Sequence, residues 1–138
     1  MNSFTKLTIT ALLAASSSVV GLAMDSTKLS AKISFPFRAF TADLPAGSYE
    51  ILKENENGIP RFYLSNRETR KRIVLLAHAE GNLTPARPSL VFRCTEATCG
   101  LTKITDGDGR SYQTVSPKYT RAEKERLVTV YLNRTAAD

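Results

Sequence analysis

Turn signals divide residues 30–133 into short segments, and this spacing constrains the fold more than any other feature of the chain. Apolar or alternating runs recur about every 8 to 12 residues, which is typical of an all-β sandwich or barrel. The strongest signal is Asn57-Gly58, because both residues readily adopt the positive φ of a two-residue hairpin loop. We therefore predict an all-β fold of about eight strands, mainly antiparallel, forming a small barrel or sandwich.

The Asn57-Gly58 loop also predicts the register of the strands on either side of it. A two-residue loop places Ile51 opposite Leu64. It also places Glu54 opposite Arg61, and we expect these two side chains to form a cross-strand ion pair. A slip of one residue would turn the apolar side chains outward, so other pairings are disfavoured.

A second hairpin is predicted with residues 67–70 as its loop, which pairs Leu64 with Ile73. Residues 73–77 then form an apolar run without alternation, and such a run indicates burial on both faces. We expect a central strand here, with another layer packed against its second side.

The C-terminal part of the chain carries a helix signal. Thr120 and Glu123 form a capping box, in which the threonine caps the helix and the glutamate lies three residues later. This predicts one short helix that ends at about Arg126, followed by a last strand at residues 127–132.

Residues 1–23 have the pattern of a secretory signal peptide. A weakly basic start precedes an uncharged stretch, and the small residues Gly21 and Ala23 are spaced for cleavage before Met24. The alternative is a retained membrane anchor, although the stretch is at the lower edge of spanning length. We predict a secreted or periplasmic protein without a transmembrane span in its mature form. Its single all-β domain occupies residues 24–138, with an ordered core at about 30–133.

The two cysteines, Cys94 and Cys99, are predicted to form a disulfide, because an even pair in an oxidising compartment is normally bridged. They would close the tip of a third hairpin, with Phe92 opposite Leu101. A zinc site is the alternative, but no second Cys or His pair exists to complete it. We predict no metal and no cofactor.

A basic cluster at the tip of the second hairpin is the candidate contact for an anion or a partner. It consists of Arg67, Arg70, Lys71 and Arg72, in a chain with a formal net charge of +6. Such a cluster could bind a phosphate or an acidic glycan, or it could simply be a solvated loop. No aromatic residues alternate with these charges, so nucleic-acid binding is not predicted.

We predict no catalytic residue. His78 is the only histidine, and no Gly-x-Ser-x-Gly elbow accompanies it. Residues 106–109 (Asp-Gly-Asp-Gly) resemble the start of a calcium loop, but the distal ligands of such a loop are missing and a tight turn explains them. Paired carboxylates for glycoside hydrolysis stay open, since several glutamates lie near predicted turns.

Several segments together resemble a group of small exported proteins of unassigned function from environmental bacteria, especially soil acidobacteria. The resemblance lies in residues 34–37 (Ser-Phe-Pro-Phe), 44–49 (Leu-Pro-Ala-Gly-Ser-Tyr), 89–93 (Ser-Leu-Val-Phe-Arg) and 120–123. It implies a β-rich fold and a bacterial envelope setting, and it implies no catalytic residues. This chain differs by carrying two cysteines at the third hairpin tip.

These observations favour an exported bacterial envelope protein with a non-enzymatic binding or structural role. Its partner would be an unknown protein, a glycan or a small apolar ligand of the cell envelope. We expect binding through hairpin tips and an exposed aromatic face of Phe35, Phe37 and Phe40, framed by basic side chains. Two alternatives are a lipocalin-like carrier with an apolar ligand inside a barrel, and a small secreted hydrolase.

Overall fold

A computed structural model describes residues 28–81, 84–115 and 124–135. The predicted signal peptide at residues 1–23 lies outside these residues. The described part is all-β, as predicted, and no helix in it is long and apolar enough to cross a membrane.

The described residues form eleven strands, rather than the predicted eight or so. In chain order these are β1 (Lys28–Ile33), β2 (Phe37–Ala39), β3 (Ala42–Leu44), β4 (Gly47–Glu56), β5 (Ile59–Asn66), β6 (Arg72–Ala79), β7 (Ser89–Cys94), β8 (Cys99–Thr105), β9 (Ser111–Thr114), β10 (Arg126–Tyr131) and β11 (Asn133–Arg134). The count differs because Pro36 and its neighbours break the first predicted strand into β1 and β2, since proline cannot donate to a ladder. The additional strands β3 and β11 are too short to leave a sequence pattern.

The described residues contain no part of the predicted C-terminal helix. Its capping box at residues 120–123 lies outside the described residues. The residues that would complete the helix are not helical, because Lys124 and Glu125 are irregular and Arg126 begins β10. Bonding to β7 in the sheet decides the conformation of Arg126 here, rather than the local helix signal.

The strands form one mixed sheet in the order β10-β7-β8-β9-β6-β5-β4-β1-β11, with β2 attached to β8 and β3 attached to β2. All pairings are antiparallel except β2 with β8, which is parallel at Arg38 and Gly100. The two ends of the order, β10 and β11, are separated in the chain by Leu132 alone. Residues 126–134 are therefore one continuous stretch, in which β10 pairs with β7 and β11 pairs with β1.

The predicted registers of the two N-terminal hairpins are confirmed. Ile51 lies opposite Leu64, and Leu64 lies opposite Ile73. The expected ion pair between Glu54 and Arg61 is wrong, however. These two residues are cross-strand neighbours, but the Arg61 guanidinium instead contacts the Glu56 carboxylate at 2.6 Å, one diagonal step along β4.

Aromatic side chains from distant strands meet edge to face in the core. Phe37 of β2 contacts both Tyr49 of β4 and Phe92 of β7, with ring centroids 5.2 Å apart in each case. Phe62 of β5 contacts Tyr112 of β9 at 4.9 Å. Such geometry adds stabilisation beyond the burial of apolar area. The contact of Phe37 with Tyr49 joins strands that are far apart in the sheet order, whereas Phe62 and Tyr112 lie on strands separated only by β6.

The prediction that β6 is buried on both faces is wrong. Leu75 is almost fully buried, but Val74 and Leu76 are 47% and 52% exposed. The strand therefore alternates between a core face and a solvent face, and no layer of the described residues covers its second side.

The expected aromatic face of Phe35, Phe37 and Phe40 is also wrong. Phe37 is buried in the core, and Phe35 packs edge to face on Phe92 at 5.0 Å. Only Phe40 is exposed, at a turn where its φ is +55°. The hydrophobic effect draws two of the three rings inward.

The turn between β3 and β4 is fastened by Tyr49. Its hydroxyl donates to the backbone carbonyl of Pro45, four residues upstream, at 2.5 Å. Because its ring is buried against Phe37, one side chain ties the turn to the core. This contact resembles the tyrosine corner of some β-sandwiches.

We predict that Tyr49→Phe lowers the free energy of unfolding by about 1 kcal/mol, because it removes this hydrogen bond and keeps the ring. The measurement is urea unfolding at neutral pH. The control is Tyr63→Phe, which changes a half-buried ring on the opposite face of the sheet. Equal effects of the two substitutions would contradict a special role for the Tyr49 hydroxyl.

Candidate functional site

The structure brings the four predicted basic residues to one hairpin tip but orients them differently. The Arg67 guanidinium lies 3.3 Å from the Glu50 carboxylate, and the Arg72 guanidinium lies 3.9 Å above the ring of Tyr63. Arg70 and Lys71 are exposed at the end of the turn. The cluster is therefore two solvent-facing cations flanked by two that contact neighbouring strands.

This tip is built by polar side chains that bind the backbone. The Asn66 side-chain oxygen accepts the backbone N–H groups of Glu68 and Thr69, each at 2.9 Å. The Glu68 carboxylate accepts the backbone N–H of Ser48 at 3.1 Å, and this bond holds the pKa of Glu68 below its usual range. A Cβ at position 47 would lie 2.8 Å from an oxygen of the same carboxylate, so a larger residue in place of Gly47 would displace the Glu68 side chain.

The predicted disulfide between Cys94 and Cys99 is present and joins β7 to β8. As predicted, Phe92 lies opposite Leu101 on these strands. Within the loop that the bridge closes, the backbone N–H of Thr95 donates to the carbonyl of Thr98 at 2.8 Å. The disulfide and this turn hold the loop in a defined shape.

A groove of about 470 Å³ lies between this disulfide loop and the β2–β3 hairpin. Apolar side chains and prolines make up most of its lining, and the loop contributes one wall. The lining residues are Pro36, Phe37, Arg38, Asp43, Leu44, Pro45, Ala97, Thr98 and Cys99.

The charges in the groove neutralise each other. The Arg38 guanidinium donates to the Asp43 carboxylate at 2.9 Å, and this hydrogen bond and the arginine charge lower the pKa of Asp43. The groove therefore presents an apolar surface beside a closed ion pair, with no net charge from these two residues.

Sequence reasoning predicted the disulfide loop, which forms one wall of the groove, but not the β2–β3 hairpin, which forms the other. Their meeting depends on the single parallel contact of Arg38 with Gly100, for which the sequence carries no recognisable pattern.

A smaller cavity of about 100 Å³ lies at the side of the core, beside a buried ion pair. The Lys53 ammonium contacts the Asp106 carboxylate at 2.8 Å and lies 5.0 Å above the ring centroid of Tyr112. Burial alone would raise the pKa of Asp106, but the hydrogen bond from Lys53 and those from the backbone of Arg110 and Asp108 lower it. Burial likewise disfavours the charged form of Lys53, yet its contacts with Asp106 and Tyr112 raise its pKa.

The same aspartate organises the turn at residues 106–109. One carboxylate oxygen of Asp106 accepts the backbone N–H groups of Asp108 and Arg110, at 3.0 and 2.9 Å, and the other contacts Lys53. These contacts are those of a tight turn. Among the described residues, no group of three His, Cys, Asp or Glu side chains is placed to hold a metal ion.

His78 is exposed on the outer side of β6, opposite Gln113 of β9. Two residues along the chain, the Glu80 carboxylate contacts the Lys103 ammonium at 2.9 Å and lines a cleft of about 520 Å³ with Asp108 and Arg110. Charged groups meet in this cleft. Among the described residues, however, no nucleophilic side chain in it contacts a general base.

Comparison of the chain with protein-family models, with curated proteins and with solved structures found no match.

We predict that Asp106→Asn lowers the free energy of unfolding at pH 7 by roughly 3 kcal/mol, because it leaves the Lys53 charge without its buried partner. The pKa of Asp106 is lowered in the folded state, so its contribution is present above the unfolded value near 4 and is lost as the pH falls through the folded value. The difference between the wild type and the variant should therefore shrink below about pH 4. Denaturant unfolding across pH measures it.

The control is Asp43→Asn, which removes the carboxylate of an exposed ion pair and should change stability little. A stability difference between wild type and Asp106→Asn that stayed constant down to pH 2 would contradict the assignment of a lowered pKa to Asp106.

Proposed function

We propose that this chain is an exported, non-enzymatic binding protein of the bacterial envelope, which holds an uncharged, mainly apolar small molecule in the groove beside its disulfide loop. The observation that carries this proposal is the groove itself. Its volume of about 470 Å³ falls within the range of small-molecule sites, and most of its lining is apolar.

The chemistry of the lining favours a neutral ligand. Arg38 and Asp43 satisfy each other, so a charged ligand would have to compete for one of them. Pro36, Pro45 and Ala97 are exposed and offer apolar contact, whereas Phe37 and Leu44 are buried. The Thr98 hydroxyl offers one polar handle at the rim. An apolar molecule with one or two hydroxyl or carbonyl groups fits this combination.

The packed interior favours a surface groove over the lipocalin-like alternative. Side chains such as Phe62, Phe92 and Ile104 are fully buried at the centre. The cavity at the side of the core is about 100 Å³ and is lined in part by Lys53 and Asp106, whereas small-molecule sites occupy several hundred Å³.

The sheet is proposed to close as a small barrel. Two pairings support this form: Tyr131 lies opposite Ser89 of β7, and Asn133 lies opposite Ser30 of β1. Since Leu132 is the one residue between them, the two ends of the sheet order meet on the same stretch of chain. The buried Leu132 side chain fits a corner at which the chain passes from one half of the barrel to the other.

Export is the second part of the proposed function. The pattern of residues 1–23 and the disulfide are both compatible with it, because disulfides persist in oxidising compartments. The resemblance to small exported proteins of environmental bacteria supports the same location.

We predict that the protein binds N-phenyl-1-naphthylamine, an uncharged apolar fluorophore, with a saturable rise in fluorescence. Ala97→Phe should weaken this binding by about tenfold or more, because the larger side chain fills the groove. Glu96→Phe is the matched control, since it adds the same ring to the same loop at a residue outside the lining.

Equal binding by these two variants would place the fluorophore elsewhere and would contradict the groove as the site. Absence of binding by the wild type would contradict an apolar small-molecule function.

We predict that protein recovered from its own host comes from the envelope fraction and begins at Met24. Its intact mass should correspond to residues 24–138 less the two hydrogens lost in the disulfide. Native mass spectrometry of the same sample would detect a retained ligand. Full-length protein with two free thiols in the cytoplasm would contradict export.

A further inference from the structure

The disulfide borders the proposed groove, and its two sulfur atoms differ in access. Cys94 is fully buried, whereas Cys99 is partly exposed and belongs to the lining of the groove. Thiol–disulfide exchange requires a thiolate to reach one sulfur of the bridge, so access decides which sulfur is attacked. In this protein the reachable half of the bridge is Cys99, on the side of the groove.

The bridge is not needed to hold the β7–β8 hairpin together. These strands pair at five positions besides that of the two cysteines. The loop has hydrogen bonds of its own, because the Thr95 N–H donates to the Thr98 carbonyl at 2.8 Å and the Thr98 N–H donates to the Thr95 hydroxyl at 3.2 Å. A bridge across so short a loop restricts few conformations of the unfolded chain and adds little stability. We therefore expect the hairpin to persist when the bridge is open.

The residue after Cys99 connects the bridge to the opposite wall of the groove. Gly100 pairs with Arg38 of β2, and through this contact the β2–β3 hairpin is bonded to β8. Two thiols need more room than a bonded pair of sulfurs, and Cys94 is packed within the core, where there is little space to move. The adjustment after reduction therefore falls on Cys99 and its neighbours, which lead to both walls.

We propose that the Cys94–Cys99 disulfide is a redox switch for the groove, so that the oxidised protein holds the apolar ligand and reduction by a dithiol protein of the envelope releases it. This inference rests on the proposed function, because the groove is the site that it regulates. The bridge keeps the two walls in the geometry that fits the ligand, and a site held in its binding geometry binds more tightly. Opening the bridge removes that constraint.

The exchange takes two steps. A thiolate of the dithiol reductant attacks the Cys99 sulfur, the bond to Cys94 breaks, and Cys94 leaves as a thiolate that takes up a proton. The second thiolate of the reductant then attacks the first reductant sulfur in the mixed disulfide, and Cys99 leaves and is protonated. The protein gains two electrons and two protons, and the reductant loses the same and becomes a disulfide.

Ligand binding and the redox state must then influence each other by the same factor, because coupling between two equilibria is reciprocal. If reduction weakens ligand affinity by about fivefold, saturating ligand shifts the equilibrium between reduced and oxidised protein by about fivefold toward the disulfide. A bridge without a link to the groove would leave both equilibria unchanged.

Binding of N-phenyl-1-naphthylamine to the oxidised and to the dithiothreitol-reduced protein tests the switch. Reduction should weaken binding by about fivefold or more. The matched control is the double variant Cys94→Ala/Cys99→Ala, which lacks both cysteines of the chain and should bind with the affinity of the reduced wild type, with or without dithiothreitol. Equal, measurable affinities of the oxidised and reduced wild type would overturn the switch.

The reciprocal effect can be measured without that double variant. Equilibration with mixtures of reduced and oxidised dithiothreitol, followed by alkylation and mass spectrometry, gives the reduced fraction. Saturating fluorophore should shift the wild type toward the disulfide by the factor found for binding. Ala97→Phe, which fills the groove, should shift much less at the same fluorophore concentration. An equal shift in both proteins would overturn the link between the bridge and the groove.

Amide hydrogen exchange without ligand separates failure of the switch from failure of the proposed function. Reduction should speed exchange in both walls, at residues 37–44 and 95–100, and leave β4 and β5 unchanged. Faster exchange in both walls without fluorophore binding in either state would contradict the apolar ligand and support the switch. Unchanged exchange in the walls would overturn the switch, whether or not the oxidised protein binds the fluorophore.

Discussion

Edge-to-face packing of aromatic rings between distant strands is the interaction on which the rest of this structure depends. Phe37 lies on a three-residue strand that could not persist alone, and its contacts with Tyr49 and Phe92 hold that strand against the sheet. The β2–β3 hairpin stays in place for the same reason, and the groove exists because the hairpin does. The buried ring of Phe37 therefore links the core to the groove that we propose as the binding site.

The structure separates the proposed binding groove from its stable interior. The interior is filled by large side chains and one neutralised ion pair, which suits a rigid scaffold. The groove is formed by a short hairpin and a loop closed by a disulfide, both of which lie at the edge of this interior.

Sequence patterns predicted the local features of this fold and missed those that depend on distant contacts. The Asn57-Gly58 hairpin, its register and the disulfide followed from neighbours in the chain, where turn chemistry and alternation act directly. The parallel contact of Arg38 with Gly100 joins segments about sixty residues apart and leaves no periodic signal, so the groove was missed. The predicted exposure of Phe37 and the predicted burial of Val74 and Leu76 were wrong, because composition shows that a residue is apolar but not which layer will cover it. The four basic residues lie at the hairpin tip, but the contacts of Arg67 with Glu50 and of Arg72 with Tyr63 depend on side-chain directions that charge counting does not include.

The position of Leu132 between two strands has a consequence for the timing of folding. Residues 126–134 supply a hydrogen-bonding partner both to β7 and to β1, which precedes them by about a hundred residues. Neither pairing can form until this stretch has left the ribosome, and loop closure over such a distance is slow. A nascent chain of this design therefore keeps β1 and β7 without these partners until residues 126–134 have been synthesised.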